Sequence, residues 1–262
     1  MPPARNIARE RLERGELSLG VGVKVVRGVE IGKAMKSAGY DWLFIDLEHG
    51  ALSIETAAQI ALAALDAGIA PIVRIANGEF SIATRLMDNG ALGIVVPHVE
   101  TADEARLVVE KLRYPPLGRR AIYSSVPQYQ FKTMNAADMA ALNAANLIVV
   151  MLESRTGIDN AGAIAAVPGI DVLLIGTNDL CVDLGITGEL GHAQVDDAYA
   201  RMIAACRAHG KWAGMGGIYD EQLMQRYIGM GARFILGGGD LGFLLGGAAR
   251  RAEFLRAVHK PG

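Results

Sequence analysis

The chain has 262 residues, 51% of them hydrophobic and only 6% aromatic, with a formal net charge of −2. That length suits one α/β barrel, a single domain over residues 1–262, with a core of Ala, Val, Ile and Leu such as buried parallel strands require. A near-neutral balance with no block of like charge excludes a nucleic-acid partner, and no apolar stretch is long enough to span a bilayer.

The N-terminus, Met1 to Glu16, mixes Arg with Glu and has no apolar centre, so it does not read as a signal peptide. The two cysteines, Cys181 and Cys206, form neither a disulfide framework nor a zinc spacing. The expectation is a soluble, cytoplasmic protein with no membrane partner.

Strand-like apolar runs then recur along the chain: Leu17 to Val25, Trp42 to Leu47, Pro71 to Ile75, Gly93 to Val99, Leu147 to Leu152, Val172 to Ile175, Trp212 to Met215 and Phe234 to Leu236. Between them lie amphipathic or Ala-rich stretches such as Ser53 to Ala67, Thr101 to Leu112 and Asp196 to His209. Alternating strands and helices imply parallel pairing and right-handed crossovers. Eight units predict a closed (βα)8 TIM barrel; an open doubly wound sheet is the alternative if the first run is no strand. Gly39, Gly68, Gly90, Gly210 and Gly231 fall where helices should end in a left-handed residue. One connection, Arg113 to Met134, is long and rich in Pro, Gly and aromatics, which suggests a lid, a wall or a contact surface.

Chemistry in parallel barrels gathers at the carboxyl ends of strands. Glu153 ends the fifth run, and Gly176-Thr177-Asn178-Asp179 follows the sixth. Two acids from successive strands can seat a hard divalent metal, although either alone could cap the following helix. Asp46, Glu48 and His49 close the second run, either as a salt-bridged loop or as part of a site. Arg74 in the third run must be paired when desolvated, and its fork suits a carboxylate or an enolate oxygen. His98 reads as structural. Gly237 to Asp240 could cradle phosphate or pack tightly. Together these residues suggest that a metal on Glu153 and Asp179 polarises a 2-oxo acid as a Lewis acid. Arg74 would stabilise the enolate and His49 would move the proton.

Several blocks in order, Asp41-Trp42-Leu43-Phe44-Ile45-Asp46-Leu47-Glu48-His49-Gly50, Pro71-Ile72-Val73-Arg74, Arg113-Tyr114-Pro115-Pro116-Leu117-Gly118, Glu153-Ser154, and Ile175-Gly176 with Asp179-Leu180, resemble the 4-hydroxy-2-oxoheptanedioate aldolase family. The resemblance covers nearly the whole chain. It implies a metal-dependent pyruvate aldolase that reversibly cleaves a 4-hydroxy-2-oxo acid to pyruvate and an aldehyde through a metal-bound pyruvate enolate. It implies Glu153 and Asp179 as ligands of Mg, Mn or Co, with Asp179 also touching substrate. It further implies Arg74 as transition-state stabiliser and His49 as proton acceptor. Asp88 matches the acid that raises the basicity of that histidine, often across a subunit boundary; Asp46 is a second candidate. A (βα)8 barrel assembled as a homohexamer is also implied.

Three positions depart from the pattern. Met151 stands in place of a substrate-binding glutamine, Thr177-Asn178 replaces Pro-Ala, and Gly22 lies near the place of a tryptophan. Met151 and Asn178, with Asp179, are therefore the candidate substrate contacts. Rival readings are a lyase acting on another 2-oxo acid or a coenzyme A thioester, and a catalytically silent barrel that binds a small acid. A Schiff-base mechanism would need Lys24, the one lysine placed for it, but two nearby carboxylates would keep its amine protonated.

Overall fold

A computed structural model describes residues 3–258. Eight strands, β1 (Ser18–Val23), β2 (Trp42–Asp46), β3 (Ala70–Arg74), β4 (Gly93–Val96), β5 (Leu147–Leu152), β6 (Val172–Gly176), β7 (Trp212–Gly216) and β8 (Phe234–Gly239), close into one parallel barrel in sequence order. The first run is a strand, so the open-sheet alternative fails. Helices Ile54–Ala67, Ala102–Leu112 and Ala193–Ala208 lie within a few residues of their expected spans. All five helix-ending glycines named above take positive φ, from +63° at Gly210 to +132° at Gly231.

Strand alternation sorts the side chains. On β5, Ile148, Val150 and Leu152 join the layer between barrel and helices. Leu147, Val149 and Met151 join the lumen with Phe44, Ile72, Leu174 and Phe234. Each such buried side chain contributes roughly 1.5–3 kcal/mol relative to exposure. Trp42 stacks on Phe234 in that lumen, with ring centroids 4.0 Å apart. It fits because Gly20 has no side chain: a Cβ there would come within 2.2 Å of the indole.

The same two-residue step projects the last inward residue of several strands into the barrel mouth. After Phe44 comes Asp46, after Ile72 comes Arg74, and after Met151 comes Glu153. Register places Asp46 directly beside Arg74.

The opposite end is closed by a helix not read from the sequence, Ile7–Glu13, whose Ala8 and Leu12 join the lumen cluster. Asn6 caps it and donates through Nδ2 to the Leu92 and Ala145 carbonyls at 3.0 and 2.8 Å. The long connection from Arg113 also belongs to this end, since it joins the end of helix Ala102–Leu112 to the start of β5. Tyr114, Val126, Tyr129, Met134 and Leu142 form a small core beneath it. It is a floor and not a lid.

Candidate active site

A cavity of about 300 Å³ opens at the carboxyl ends of the strands. Phe44, Met151, Leu174 and Leu236 form its apolar floor, and Lys24, His49, Arg74, Asn178, Asp179 and Tyr219 line its walls. Apolar ground with few convergent polar groups is the usual make-up of a small-molecule site.

Arg74 is buried, and its fork is bidentate to Asp46: Nε donates to Oδ1 at 2.9 Å and Nη2 to Oδ2 at 2.7 Å. Nη1 lies 2.8 Å from Glu48 Oε2. Burial opposes the charge, but Asp46, Glu48 and Glu153 outweigh it and hold the guanidinium above its ordinary pKa. Only two of its five N–H donors are spent on hydrogen bonds to Asp46, and it faces the cavity. For Asp46, burial would raise the carboxyl. Arg74, the His49 backbone N–H and Lys24 reverse this and hold it below the usual carboxylate range.

Glu153 is 5% exposed, and its Oε2 accepts the His98 backbone N–H at 2.9 Å. The His98 backbone adopts φ 54° to present that donor, and its imidazole stands between acids, Nδ1 3.3 Å from Glu153 Oε2 and Nε2 3.6 Å from Glu48 Oε1. Burial, together with the charges of Asp179 and Glu48, pushes the Glu153 carboxyl up, against His98. Glu153 does not cap the next helix, because Ser154 does so by accepting the Gly157 N–H at 3.1 Å. A Cβ on Gly176 would stand 2.3 Å from Glu153 Oε1, so the glycine ending β6 makes room for this carboxylate. Asp179 lies exposed in the first turn of helix Thr177–Asp183, on the cavity wall.

These two acids fit a hard divalent cation. A buried carboxylate whose charged form is disfavoured by other acids, with an exposed acid nearby, is a donor set that a cation would relieve. Among the described residues no cluster of three or more His, Cys, Asp or Glu is arranged to hold an ion. The protein would therefore supply two carboxylates and leave the other positions to substrate and water.

The remaining predicted residues fall as follows. His49 is exposed on the cavity wall, with Nε2 3.9 Å from Glu48 Oε2. Asp46 is not the partner of this imidazole: both its oxygens are taken by Arg74, and Oδ1 also accepts the Glu48 and His49 backbone N–H groups at 3.1 and 3.2 Å. Asp88 ends the helix Phe80–Asp88, at the amino-terminal end of the barrel, and pairs with buried Arg120. Within one protomer it does not meet His49. Burial raises the Asp88 carboxyl despite Arg120. Met151 belongs to the apolar floor. Asn178 is exposed beside Gly217, where a Cβ would approach its Nδ2 to 2.8 Å. Thr177 is structural, its hydroxyl bonded to the Gly216 carbonyl at 2.7 Å and paired with Tyr199 at 2.9 Å.

In the glycine run at the end of β8, Gly238 packs closely. A Cβ on Gly238 would strike the Phe243 ring at 2.2 Å. Asp240 turns its own carboxylate onto the backbone N–H groups of Lys24, Val25 and Val26 at 3.1, 2.9 and 2.8 Å. The roles of His98, Gly176 and Asp240 are not legible in the sequence. Each depends on a contact between distant segments; a lone glycine or a histidine after proline carries no periodic signal for it.

The model of the HpcH/HpaI aldolase/citrate lyase family matches residues 30–245. A 4-hydroxy-4-methyl-2-oxoglutarate aldolase of Hapsidospora irregularis is 37% identical over 258 residues, covering 97% of this chain and 96% of that protein. A 5-keto-4-deoxy-D-glucarate aldolase of Escherichia coli strain K12 is 36% identical over 217 residues, 82% of this chain and 84% of its own. The crystal structure of an HpcH/HpaI aldolase from Desulfitobacterium hafniense DCB-2 superposes with a TM-score of 0.90 at 29% identity, covering 97% of both chains. This chain belongs to the HpcH/HpaI aldolase/citrate lyase family.

Proposed function

We propose that this barrel cleaves a 4-hydroxy-2-oxo acid by way of a pyruvate enolate, with Arg74 stabilising the enolate oxygen and His49 carrying the proton. The chain is a pyruvate aldolase, a carbon–carbon lyase, as its family and its relatives at 36–37% identity establish. A divalent cation held by Glu153 and Asp179, magnesium, manganese or cobalt, would supply Lewis acidity at the 2-oxo group. His49 takes the proton of the C4 hydroxyl as the C3–C4 bond breaks. The aldehyde leaves, and C3 is then protonated to give pyruvate. Arg74 is held rigidly by Asp46, so its free donors need no reorganisation as charge grows on the enolate oxygen. Phe44, Met151, Leu174 and Leu236 keep water from the pyruvyl carbons. Met151 cannot donate a hydrogen bond to the substrate as an amide would, which leaves Asn178 as the wall's carboxamide.

The observation that carries this reading is the placement of Arg74, buried at the end of β3 and facing one cavity with His49 and Asp179, with the buried Glu153 carboxylate set behind Gly176 of the cavity wall. Assembly into a homo-oligomer, hexameric by resemblance, is supported by the helix Asp240–Val258. Only Asp240 of that helix is buried, while Phe243, Leu244, Leu245, Phe254 and Leu255 are exposed. An assembly could also bring Asp88 of one copy to His49 of another. Among the described residues no helix is long and apolar enough to cross a membrane.

The test is pyruvate release from a panel of 4-hydroxy-2-oxo acids. Chelator should abolish it and divalent metal restore it, while Glu153→Gln and Asp179→Asn stay silent at ordinary metal concentrations. Borohydride with pyruvate should leave the protein unmodified. A trapped pyruvyl adduct on Lys24, with chelator having no effect, would overturn the reading.

A further inference from the structure

A second cavity, of about 270 Å³, lies in the helical layer among the helices Arg155–Asp159, Thr177–Asp183 and Ala193–Ala208. That is just under the roughly 300–1,000 Å³ that drug-sized ligands fill, so its occupant is smaller. Ile158, Leu180, Leu184 and Ala198 give it an apolar floor, and the exposed side chains of Arg155, Asp197 and Arg201 stand at its rim. The reaction above uses none of these residues.

The rim carries both signs of charge, and they are not closed on one another. Among the described residues the Arg155 guanidinium makes one hydrogen bond, from Nη2 to Gln194 Oε1 at 3.1 Å, which leaves most of its five N–H donors free. Asp197 stands 3.8 Å from Arg201, beyond hydrogen-bond distance, and its side chain is 67% exposed, so both its oxygens can accept. Arg201 is committed to Asp159 at 2.8 Å. Asp183 lies at the same opening, accepting the Arg155 backbone N–H at 2.7 Å. A simple anion would therefore meet three acids beside two arginines, and a simple cation would leave Arg155 without a partner. A zwitterion with an aliphatic body matches all three parts: carboxylate on Arg155, ammonium on Asp197, and the chain on the apolar floor.

We propose that this cavity is an effector site for an aliphatic α-amino acid, and that its occupancy tightens metal binding in the barrel mouth. The walls supply the link. Helix Thr177–Asp183 turns Asn178 and Asp179 to the active-site cavity and Leu180 to this one, with Leu184 just beyond its end. Helix Arg155–Asp159 begins two residues after Glu153. Both carboxylates assigned to the metal thus sit on or beside a short helix that walls the second cavity. A ligand packed between those helices and Ala193–Ala208 restrains them, so a metal binding afterwards pays less to order its ligands. The link to metal rests on the reading of Glu153 and Asp179 above; the amino-acid site itself does not.

Calorimetric titration of the full chain with L-leucine tests the site, beside two probes of the same skeleton. They are 4-methylpentanoate, which lacks the ammonium, and 3-methylbutylamine, which lacks the carboxylate. Leucine should bind with a Kd of about 1 mM or tighter, and each partial probe at least tenfold more weakly. Arg155→Gln and Ala193→Trp, which removes the free cation or fills the cavity from an exposed wall position, should each weaken leucine at least tenfold. Thermal unfolding checks that both variants fold; should one fail, the other and the three-probe comparison still decide. Manganese titrated with and without saturating leucine tests the link. Its Kd should fall by about fivefold or more, and leucine should tighten by the same factor when manganese is bound. No leucine binding, or binding unchanged in both variants, would overturn the site. A partial probe that binds as well as leucine would overturn the zwitterion. Manganese affinity indifferent to leucine would overturn the effector role. A wild type that binds leucine but no manganese would instead sink the metal reading of Glu153 and Asp179, and the effector role with it.

Discussion

At the amino-terminal end of the barrel, Arg113 is buried and fully engaged. Its Nε and Nη2 donate to the Gly169 carbonyl at 3.0 and 2.9 Å, Nη1 donates to the carbonyls of Asn143 and Asn146, and Nη2 pairs with Asp171. Asp171 in turn accepts the Ile148 N–H at 2.7 Å and Arg9 at 3.1 Å. At the mouth, Arg74 is also buried but keeps donors uncommitted, and Glu153 carries a carboxylate that burial and other acids destabilise. Closed charge at one end serves cohesion. Open charge at the other is held ready for a ligand, which is the usual cost of a binding site.

The largest expected effect tests the closed end. Arg113→Met leaves the half-buried Asp171 carboxylate short of its main partner and should destabilise the protein by about 3 kcal/mol in denaturant titrations, with KM for substrate unaltered in the folded fraction. A change in KM with stability intact would erase the distinction between the ends.

Next comes the open end. Arg74→Lys retains a charge but not the planar fork. It should slow pyruvate release about a hundredfold to a thousandfold. Oxaloacetate decarboxylation should fall in parallel, because loss of carbon dioxide forms the same enolate. Decarboxylation at the wild-type rate would remove Arg74 from the mechanism.

The smallest effect sharpens the comparison from within the mouth, where the Asp46–Arg74 pair is itself closed. The folded state depresses the Asp46 pKa, so its contribution is complete above the ordinary carboxylate pKa and is lost as pH falls through the lower folded value. Asp46→Asn should therefore cost roughly 1.5–3 kcal/mol near neutral pH, and the gap to wild type should close as the solution is acidified below the usual carboxylate range. A pH-independent gap would show that hydrogen-bond geometry, and not charge, carries the contribution.

Much of this design is legible in the sequence, because parallel strands announce themselves as apolar runs and the barrel puts their carboxyl ends in one place. Arg74 and Glu153 stand out as charges directly after or within such runs, and the structure brings Arg74 to the cavity and Glu153 to a buried place against Gly176 of its wall. What periodicity cannot convey is pairing across the ring. Asp46 reads as a possible partner of His49 because they are neighbours in sequence, yet strand register sets it against Arg74. The plug at the barrel floor was likewise hidden: the Ile7–Glu13 helix is short and charged, and only Ala8 and Leu12 of it are fully buried. Asp88 is an acid on a helix end whose nearest cation, Arg120, lies in an irregular connection with no pattern to predict it.

The hydrogen bonds from the segment after β1 to Asp240 join residues more than 200 positions apart. Such contacts, like the β1–β8 ladder beside them, are of very high sequence separation, and their chain-closure entropy is met only when the rest of the ring is in place. During synthesis, Lys24 to Val26 must wait for Asp240 to leave the ribosome, so the first strand's end of the site is the last part to be secured. A nascent chain stalled before that residue would carry the acids of the mouth without a fixed Lys24 beside them, which ties completion of the pocket to completion of the polypeptide.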